Sequence, residues 1–208
     1  MSARDDVLAR VRSALSAAPA PPPSVRAYRT TGRSGPVLLD LLEERLLDYQ
    51  ARVRRTASED LPAAVAAALA DVMSSGQRTR LVIPAGIDRS WVAGLDADVV
   101  VDDGLSAAEL DEIDAVLTAS RVAVAETGTI VLDAAADQGR RAISLVPDRH
   151  VCVVRAESVV ETVPQAVRLL AATRPLTWIS GPSATSDIEL VRVDGVHGPR
   201  TLDVILVD

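Results

Sequence analysis

Val7, Leu8, Val11 and Leu15 recur at helical spacing and predict a short amphipathic helix near the N-terminus. Pro19 and the run Pro21-Pro22-Pro23 end it and impose an extended linker. Residues 1–24 therefore read as a helix and Pro-rich linker ahead of a domain spanning 25–208. So small a helix is marginal alone, and its stripe needs a surface, on its own domain or on a partner. Leu38, Leu42, Leu46, Tyr49 and Val53 form the next stripe, with Glu43, Glu44, Arg45 and Asp48 largely off it. Asp60 before Leu61-Pro62 marks a further helix start, and Val65, Leu69 and Val72 carry one face as far as Gly76. Together these predict a helical lead-in over 35–76.

The pattern changes from residue 79 onward. Short apolar runs follow one another at Arg80–Ile83, Val99–Val101, Ala115–Thr118, Val122–Ala125, Thr129–Leu132, Ala142–Val146 and Val151–Val154. Asp88 can cap a short helix carrying Trp91, Ser106 and Glu109 make a capping box, and Thr162 with Pro164 opens a helix over about 163–172. Leu176–Ile179 and Leu202–Val207 are the last strands. Continuous apolar strands separated by helices predict an α/β fold over 79–208: a mostly parallel sheet flanked by helices, with a helical N-terminal extension.

Composition narrows the chemistry. The chain has 208 residues and a net charge of −7, so its surface does not attract phosphate backbones and argues against nucleic acid or an anionic membrane as partner. Every one of the 22 basic residues is Arg, which removes a Walker lysine and a Schiff-base lysine. Cys152, the lone cysteine, lies in an apolar run and cannot by itself hold an iron–sulfur cluster or a structural zinc. No metal site and no cofactor fingerprint stand out. The N-terminus lacks an apolar signal core, and the most apolar stretch, Ala63 to Ala70, is too short to cross a bilayer. A cytoplasmic protein without a membrane span is the expectation.

Four polar loops at the ends of apolar strands remain, and in α/β sheets ligands favour the carboxyl ends of strands. Glu126, leaving a strand as Ala125-Glu126-Thr127-Gly128-Thr129, could be a desolvated nucleophile or base, or a turn residue accepting backbone N–H bonds. Ser183, Thr185 and Ser186 follow Leu176–Ile179 in a run of small hydroxyl residues, and Ser186 with Glu189 makes a capping box. A helix N-terminus there could bind a phosphate or carboxylate, although capping alone also explains the residues. Gly195-Val196-His197-Gly198-Pro199-Arg200 frames His197, able to move a proton, beside Arg200, able to pair with a carboxylate. The alternative is a tight turn with a surface ion pair. Gln138-Gly139-Arg140-Arg141 offers further arginines, read as a solvated charge pair.

Several of these segments, in this order, resemble the lactate utilization protein C family, whose members consist of an LUD domain. They are Ala125–Leu132, Gly139–Ala142, Leu145–Val154, Trp178–Glu189 and Gly195–Leu202. The resemblance covers about Leu81 to the end. It implies a fold similar to the ribose-phosphate isomerase, glucosamine-phosphate deaminase and CoA-transferase group. It also implies a role in oxidising L-lactate to pyruvate beside partner proteins that carry the iron–sulfur clusters. On that expectation the chain is a cofactor-free component that binds a small carboxylate through Arg200, with His197 accepting the hydroxyl proton. Two other readings remain open: an assembly or interaction subunit without catalysis, and an enzyme acting on a CoA ester or sugar phosphate through Glu126. For the last, Glu126-Thr127-Gly128 resembles the Glu-Asn-Gly turn of some CoA transferases, with Thr127 in place of the Asn.

Overall fold

A computed structural model describes residues 2–16, 22–23, 27–29, 31–74, 78–186, 192–195 and 197–208. Most of the Pro-rich linker, Gly76, Val196 and the segment holding Asp187 and Glu189 lie outside the described residues. In chain order the elements begin with α1 (Ala3–Leu15), α2 (Pro36–Asp48), β1 (Arg52–Thr56) and α3 (Leu61–Met73). Next come β2 (Thr79–Ile83), β3 (Ala97–Val101), α4 (Ala107–Asp111), β4 (Ala115–Thr118), β5 (Val122–Val124) and β6 (Thr129–Leu132). The chain continues with β7 (Arg149–Arg155), β8 (Val159–Val160), α5 (Val163–Leu169) and β9 (Thr177–Ile179). It closes with β10 (Ala184–Ser186), β11 (Arg192–Asp194) and β12 (Thr201–Val207).

Six strands form a wholly parallel sheet in the order β1-β12-β7-β4-β2-β3. A second sheet, β8-β5-β6-β9, is mixed, and β10 and β11 make a separate antiparallel hairpin. One face of the main sheet packs Leu81, Leu117, Val151, Val153 and Ile205 against Leu61, Val65 and Leu69 of α3. The other packs Cys152, Val154, Val204 and Leu206 against Leu38, Leu42 and Leu46 of α2 and Ala123 and Ile130 of the second sheet. With both faces covered, these strands carry unbroken apolar runs, each fully buried aliphatic side chain contributing about 1.5–3 kcal/mol.

The caps form as the sequence requires. Ser106 and Glu109 bond reciprocally at the start of α4, and Asp88 accepts the Ser90 N–H at 2.9 Å. The Thr162 N–H donates to Gln165 Oε1 at 2.9 Å at the start of α5. Helix α1 is capped by Ser2 and Asp5, and it buries no residue; Val7, Val11 and Leu15 are exposed.

Several local expectations are corrected. Val53 belongs to edge strand β1, because α2 stops at Asp48 and Gln50 takes a left-handed φ of 66° that turns the chain. Arg141–Ser144 is a 3-10 turn rather than part of a strand: Ile143 and Ser144 tuck inward, and Ser144 Oγ donates to the Arg141 carbonyl at 3.0 Å. Ser186 pairs with Arg192 in the β10–β11 hairpin, and the helix expected after it, with Glu189, lies outside the described residues.

Candidate functional site

Register places the site. His150, second residue of β7, pairs with Leu202, second residue of β12, so both stand at the amino ends of neighbouring central strands. A cleft of about 430 Å³ opens there. Its walls are the 3-10 turn 141–144, β9 with the loop that follows it, and the segment before β12. Leu145, Leu176, Ile179 and Leu202 give it an apolar side. Arg141, Ser144, His150, Ser180, Ser183 and His197 give it a polar one.

Ser183 ties the two loops together. Its N–H donates to the Pro199 carbonyl at 2.8 Å, its carbonyl accepts the Gly195 N–H at 2.9 Å, and its hydroxyl accepts the His197 N–H at 3.1 Å. Gly181 is required for the turn: its φ is +85°, and a Cβ there would fall 2.7 Å from the Tyr49 backbone oxygen. These bonds hold the His197 backbone while leaving its ring exposed at the cleft.

Two cleft residues differ sharply in solvation. His150 is buried, its Nε2 is 2.8 Å from Thr118 Oγ1, and burial pulls its pKa down to about 4, so the ring is neutral at pH 7. Arg141 is exposed. Its neighbour Arg140 is taken up by Asp102 at 2.7 and 2.8 Å, whereas Arg141 has no carboxylate at ion-pair distance among the described residues. Arg141 is the guanidinium that lines the cleft.

The structure thus brings His197 and Ser183 into one cleft. Arg200 is directed elsewhere: its Nε donates to Asp148 Oδ1 at 2.6 Å, and it does not line the cleft. Thr185 and Ser186 are the last residues of strand β10, and the segment after them that would carry a helix N-terminus lies outside the described residues. Glu126 is not desolvated; its side chain is 57% exposed, 3.5 Å from Arg29, and outside the cleft lining. A chain of hydroxyls nonetheless runs from its turn to the rim: Thr127 to Thr129 at 2.8 Å, then Thr129 to Ser180 at 2.8 Å. Sequence reasoning missed Ser144, which sits inside the run 142–146 read as strand, and His150, which directly precedes the run Val151–Val154, and it treated Arg141 as a solvated charge. Among the described residues no group of three or more His, Cys, Asp or Glu could hold a metal ion, and no helix is long and apolar enough to cross a membrane.

Comparison with known proteins gives the lineage. The LUD domain model matches residues 89–207. A lactate utilization protein C from Deinococcus radiodurans is 50% identical over 199 residues, covering 93% of this chain and 86% of that one. A Bacillus subtilis protein of the same name is 37% identical over 99 residues, 44% of this chain and 41% of its own length. The crystal structure of a DUF162 family protein from Deinococcus radiodurans superposes with a TM-score of 0.70 at 47% identity, covering 83% of this chain and 97% of that one. The chain belongs to the lactate utilization protein C family of LUD-domain proteins.

Proposed function

We propose that this chain is a non-redox component of a cytoplasmic system that oxidises L-lactate to pyruvate, and that its amino-end cleft holds the small carboxylate. The observation that carries the reading is the cleft itself, with a guanidinium and two imidazoles on one side and an aliphatic wall on the other. A short 2-hydroxy acid matches it: the carboxylate pairs with Arg141, the hydroxyl faces His197 and Ser183, and the methyl group lies against Leu145, Ile179 and Leu202. His197 accepts the hydroxyl proton. Arg200 acts on the loop, through Asp148, rather than on the ligand.

Oxidation also removes two electrons, and one buried cysteine, its thiol pushed up to about 12 by burial, is no ligand set for a cluster. The Cα hydrogen leaves as a proton to solvent and its two electrons pass to iron–sulfur partner proteins, within the lactate utilization that the relatives are named for. Titration of the purified full chain with L-lactate and pyruvate tests the site. Binding that falls at least about tenfold in Arg141→Ala or His197→Ala supports it. Wild-type chain that binds neither acid, or variants that bind unchanged, would overturn it.

A second reading, an assembly subunit without catalysis, is favoured by one feature. Helix α1 presents Val7, Val11 and Leu15 to solvent. Copurification of cluster proteins that is lost on deleting residues 1–24, with wild-type chain binding neither acid, supports this reading instead. An enzyme using Glu126 on a thioester is the weakest of the three, since that carboxylate stands in solvent outside the cleft.

A further inference from the structure

The proposed carboxylate cleft lies at the amino ends of the parallel strands, yet the carboxyl ends are built up as well. From β2 the chain moves on to β3, whereas from β4 the next strand of this sheet, β7, lies on the opposite side. The neighbouring carboxyl ends of β2 and β4 therefore form a topological switch point, the place where open parallel sheets take ligands. A cleft of about 430 Å³ opens beside it, lined by Ser120, Arg121, Asp133, Asp137, Gln138 and Arg174 together with small and aliphatic side chains. A smaller one of about 220 Å³ shares Ser120 and Asp137 with it and extends to Gly86, Val153 and Arg155 at the ends of β2 and β7.

The segment 133–139 that roofs this trough is fixed from several sides. The buried Gln138 accepts the Asp133 N–H at 2.6 Å and donates to Asp137 Oδ1 at 3.2 Å. The Gly86 N–H donates to the Ala136 carbonyl at 2.8 Å, and the Ala119 N–H to the Asp137 carbonyl at 3.0 Å. Within this frame Ala134 is held at φ +55°, a conformation alanine rarely adopts and one that survives only where its surroundings enforce it. Two guanidiniums border the same space. Arg174 Nε donates to the Asp133 carbonyl at 2.8 Å, and Arg121 Nη2 to the Leu169 carbonyl at 3.2 Å. Each bond orients a planar fork and leaves most of its five N–H donors unspent.

We infer that this trough binds a small hydroxylated oxyanion, its anionic group on Arg121 and Arg174 and its hydroxyls on Ser120 and Asp137. The two carboxylates nearby set the selectivity. Asp133 faces Arg174 at 3.4 Å, and Asp137 keeps acceptor capacity beyond its bond to Gln138. A second negative group would meet Asp137, whereas a hydroxyl donates to it. The lining therefore favours one anionic end followed by hydroxyl-bearing carbons. A phosphomonoester and a hydroxy acid share that chemistry.

Calorimetry on the full chain with sn-glycerol 3-phosphate and with D-glycerate separates the two sources. Binding of the first alone assigns a phosphomonoester, binding of the second alone a hydroxy acid, and either supports the site if Arg121→Gln weakens it at least about tenfold. That variant keeps a donor for the Leu169 carbonyl, so an unchanged Tm shows that charge and not folding was lost. Arg174→Lys, retaining the charge without the fork, should weaken binding as well, and His197→Ala should leave it unchanged. No binding of either probe at about 10 mM overturns the inference. So does binding that survives Arg121→Gln, or binding that His197→Ala abolishes.

Discussion

Arg200 Nε donates to Asp148 Oδ1 at 2.6 Å, joining the residue before β12 to the residue before β7. The Thr201 N–H adds a bond to the Asp148 carbonyl at 3.2 Å. Gly195, at φ +80°, packs so closely on the Arg200 chain that a Cβ would fall 2.5 Å from its Cγ. The pair thereby fixes the start of the two central strands and the base of the His197 loop. It is solvent-exposed on both sides, so its worth lies in geometry more than in energy.

Arg200→Ala and Asp148→Asn should therefore behave alike. Each is expected to leave the urea midpoint nearly unchanged, the pair being solvent-screened, and to weaken L-lactate binding by the same modest factor, through the loop. Arg141→Ala removes a charge-assisted bond worth about 1.5–3 kcal/mol and should weaken binding by about 10- to 100-fold. Calorimetric titration of the three variants checks the order. A larger loss in Arg200→Ala than in Arg141→Ala would return the anchoring role to Arg200.

The sequence was most informative where one residue type has one physical use. The Ser106–Glu109 box and the Asp88 cap formed where their spacing demanded, and the runs at 79–83, 115–118 and 151–154 became parallel strands buried on both faces. It was least informative where tertiary contacts decide. Arg52–Thr56 is a strand because β12 offers an edge to pair with, and nothing in Arg-Val-Arg-Arg-Thr announces that partner. Nor does anything in Ala184–Ser186 announce the cross-strand partner that Ser186 meets in Arg192. For the site, the Gly-Pro frame of His197 was legible and its bond to Ser183 was not, because that contact spans 14 residues of sequence. The rule that favours carboxyl ends drew attention away from Arg141 and His150, which meet at the amino ends.

Acidification should expose His150. Its folded pKa, about 4, lies below the ordinary 6.5, so the unfolded chain takes up a proton that the folded ring refuses. The associated stability is fully present above pH 6.5 and is lost as the pH falls from 6.5 toward 4. The slope is about 1.4 kcal/mol per pH unit and the total about 3 kcal/mol. Urea midpoints at pH 7 and pH 5 measure it, and His150→Gln should flatten the difference over that interval. Asp71, held well below the usual carboxylate range chiefly by its hydrogen bond to Arg149, adds its own loss only at lower pH. An equally steep fall in His150→Gln would place the titration elsewhere.

The buried pair of Arg149 and Asp203 carries a larger cost. Arg149 Nε stands 3.2 Å from Asp203 Oδ2 without hydrogen-bond alignment, and the guanidinium also bonds Asp71 and the Ala68 carbonyl. Burial pushes the Asp203 carboxyl upward, and the Arg149 charge opposes it. Arg149→Met should cost about 3–5 kcal/mol by leaving that carboxylate uncompensated. The double variant with Asp203→Leu should recover most of the loss. Because a raised carboxyl pKa favours the folded state on acidification, Arg149→Met should lose less stability than the wild-type chain between pH 7 and pH 5, where His150 weakens both. Denaturation of the single and double variants at both pH values distinguishes this from a simple packing defect.

The roof of the carboxyl-end trough offers the sharpest contrast between two small substitutions. At Gly86 a Cβ would fall 2.5 Å from the Ala136 carbonyl carbon, and backbone cannot step aside as a flexible side chain can. Gly86→Ala should destabilise the chain by about 1–3 kcal/mol. At Ala134 the strain runs the other way. A left-handed alanine costs about 1–2 kcal/mol, and glycine relieves it at an entropic cost of about 0.5–1 kcal/mol in the unfolded chain. Ala134→Gly should thus raise stability by up to about 1.5 kcal/mol. If the strained segment exists to clamp a ligand, the same change should loosen the clamp, and ligand affinity should fall while the urea midpoint rises. Opposite movements of the two quantities in one variant would tie the strain to binding. A parallel rise in both would leave Ala134 with no role beyond the turn it makes.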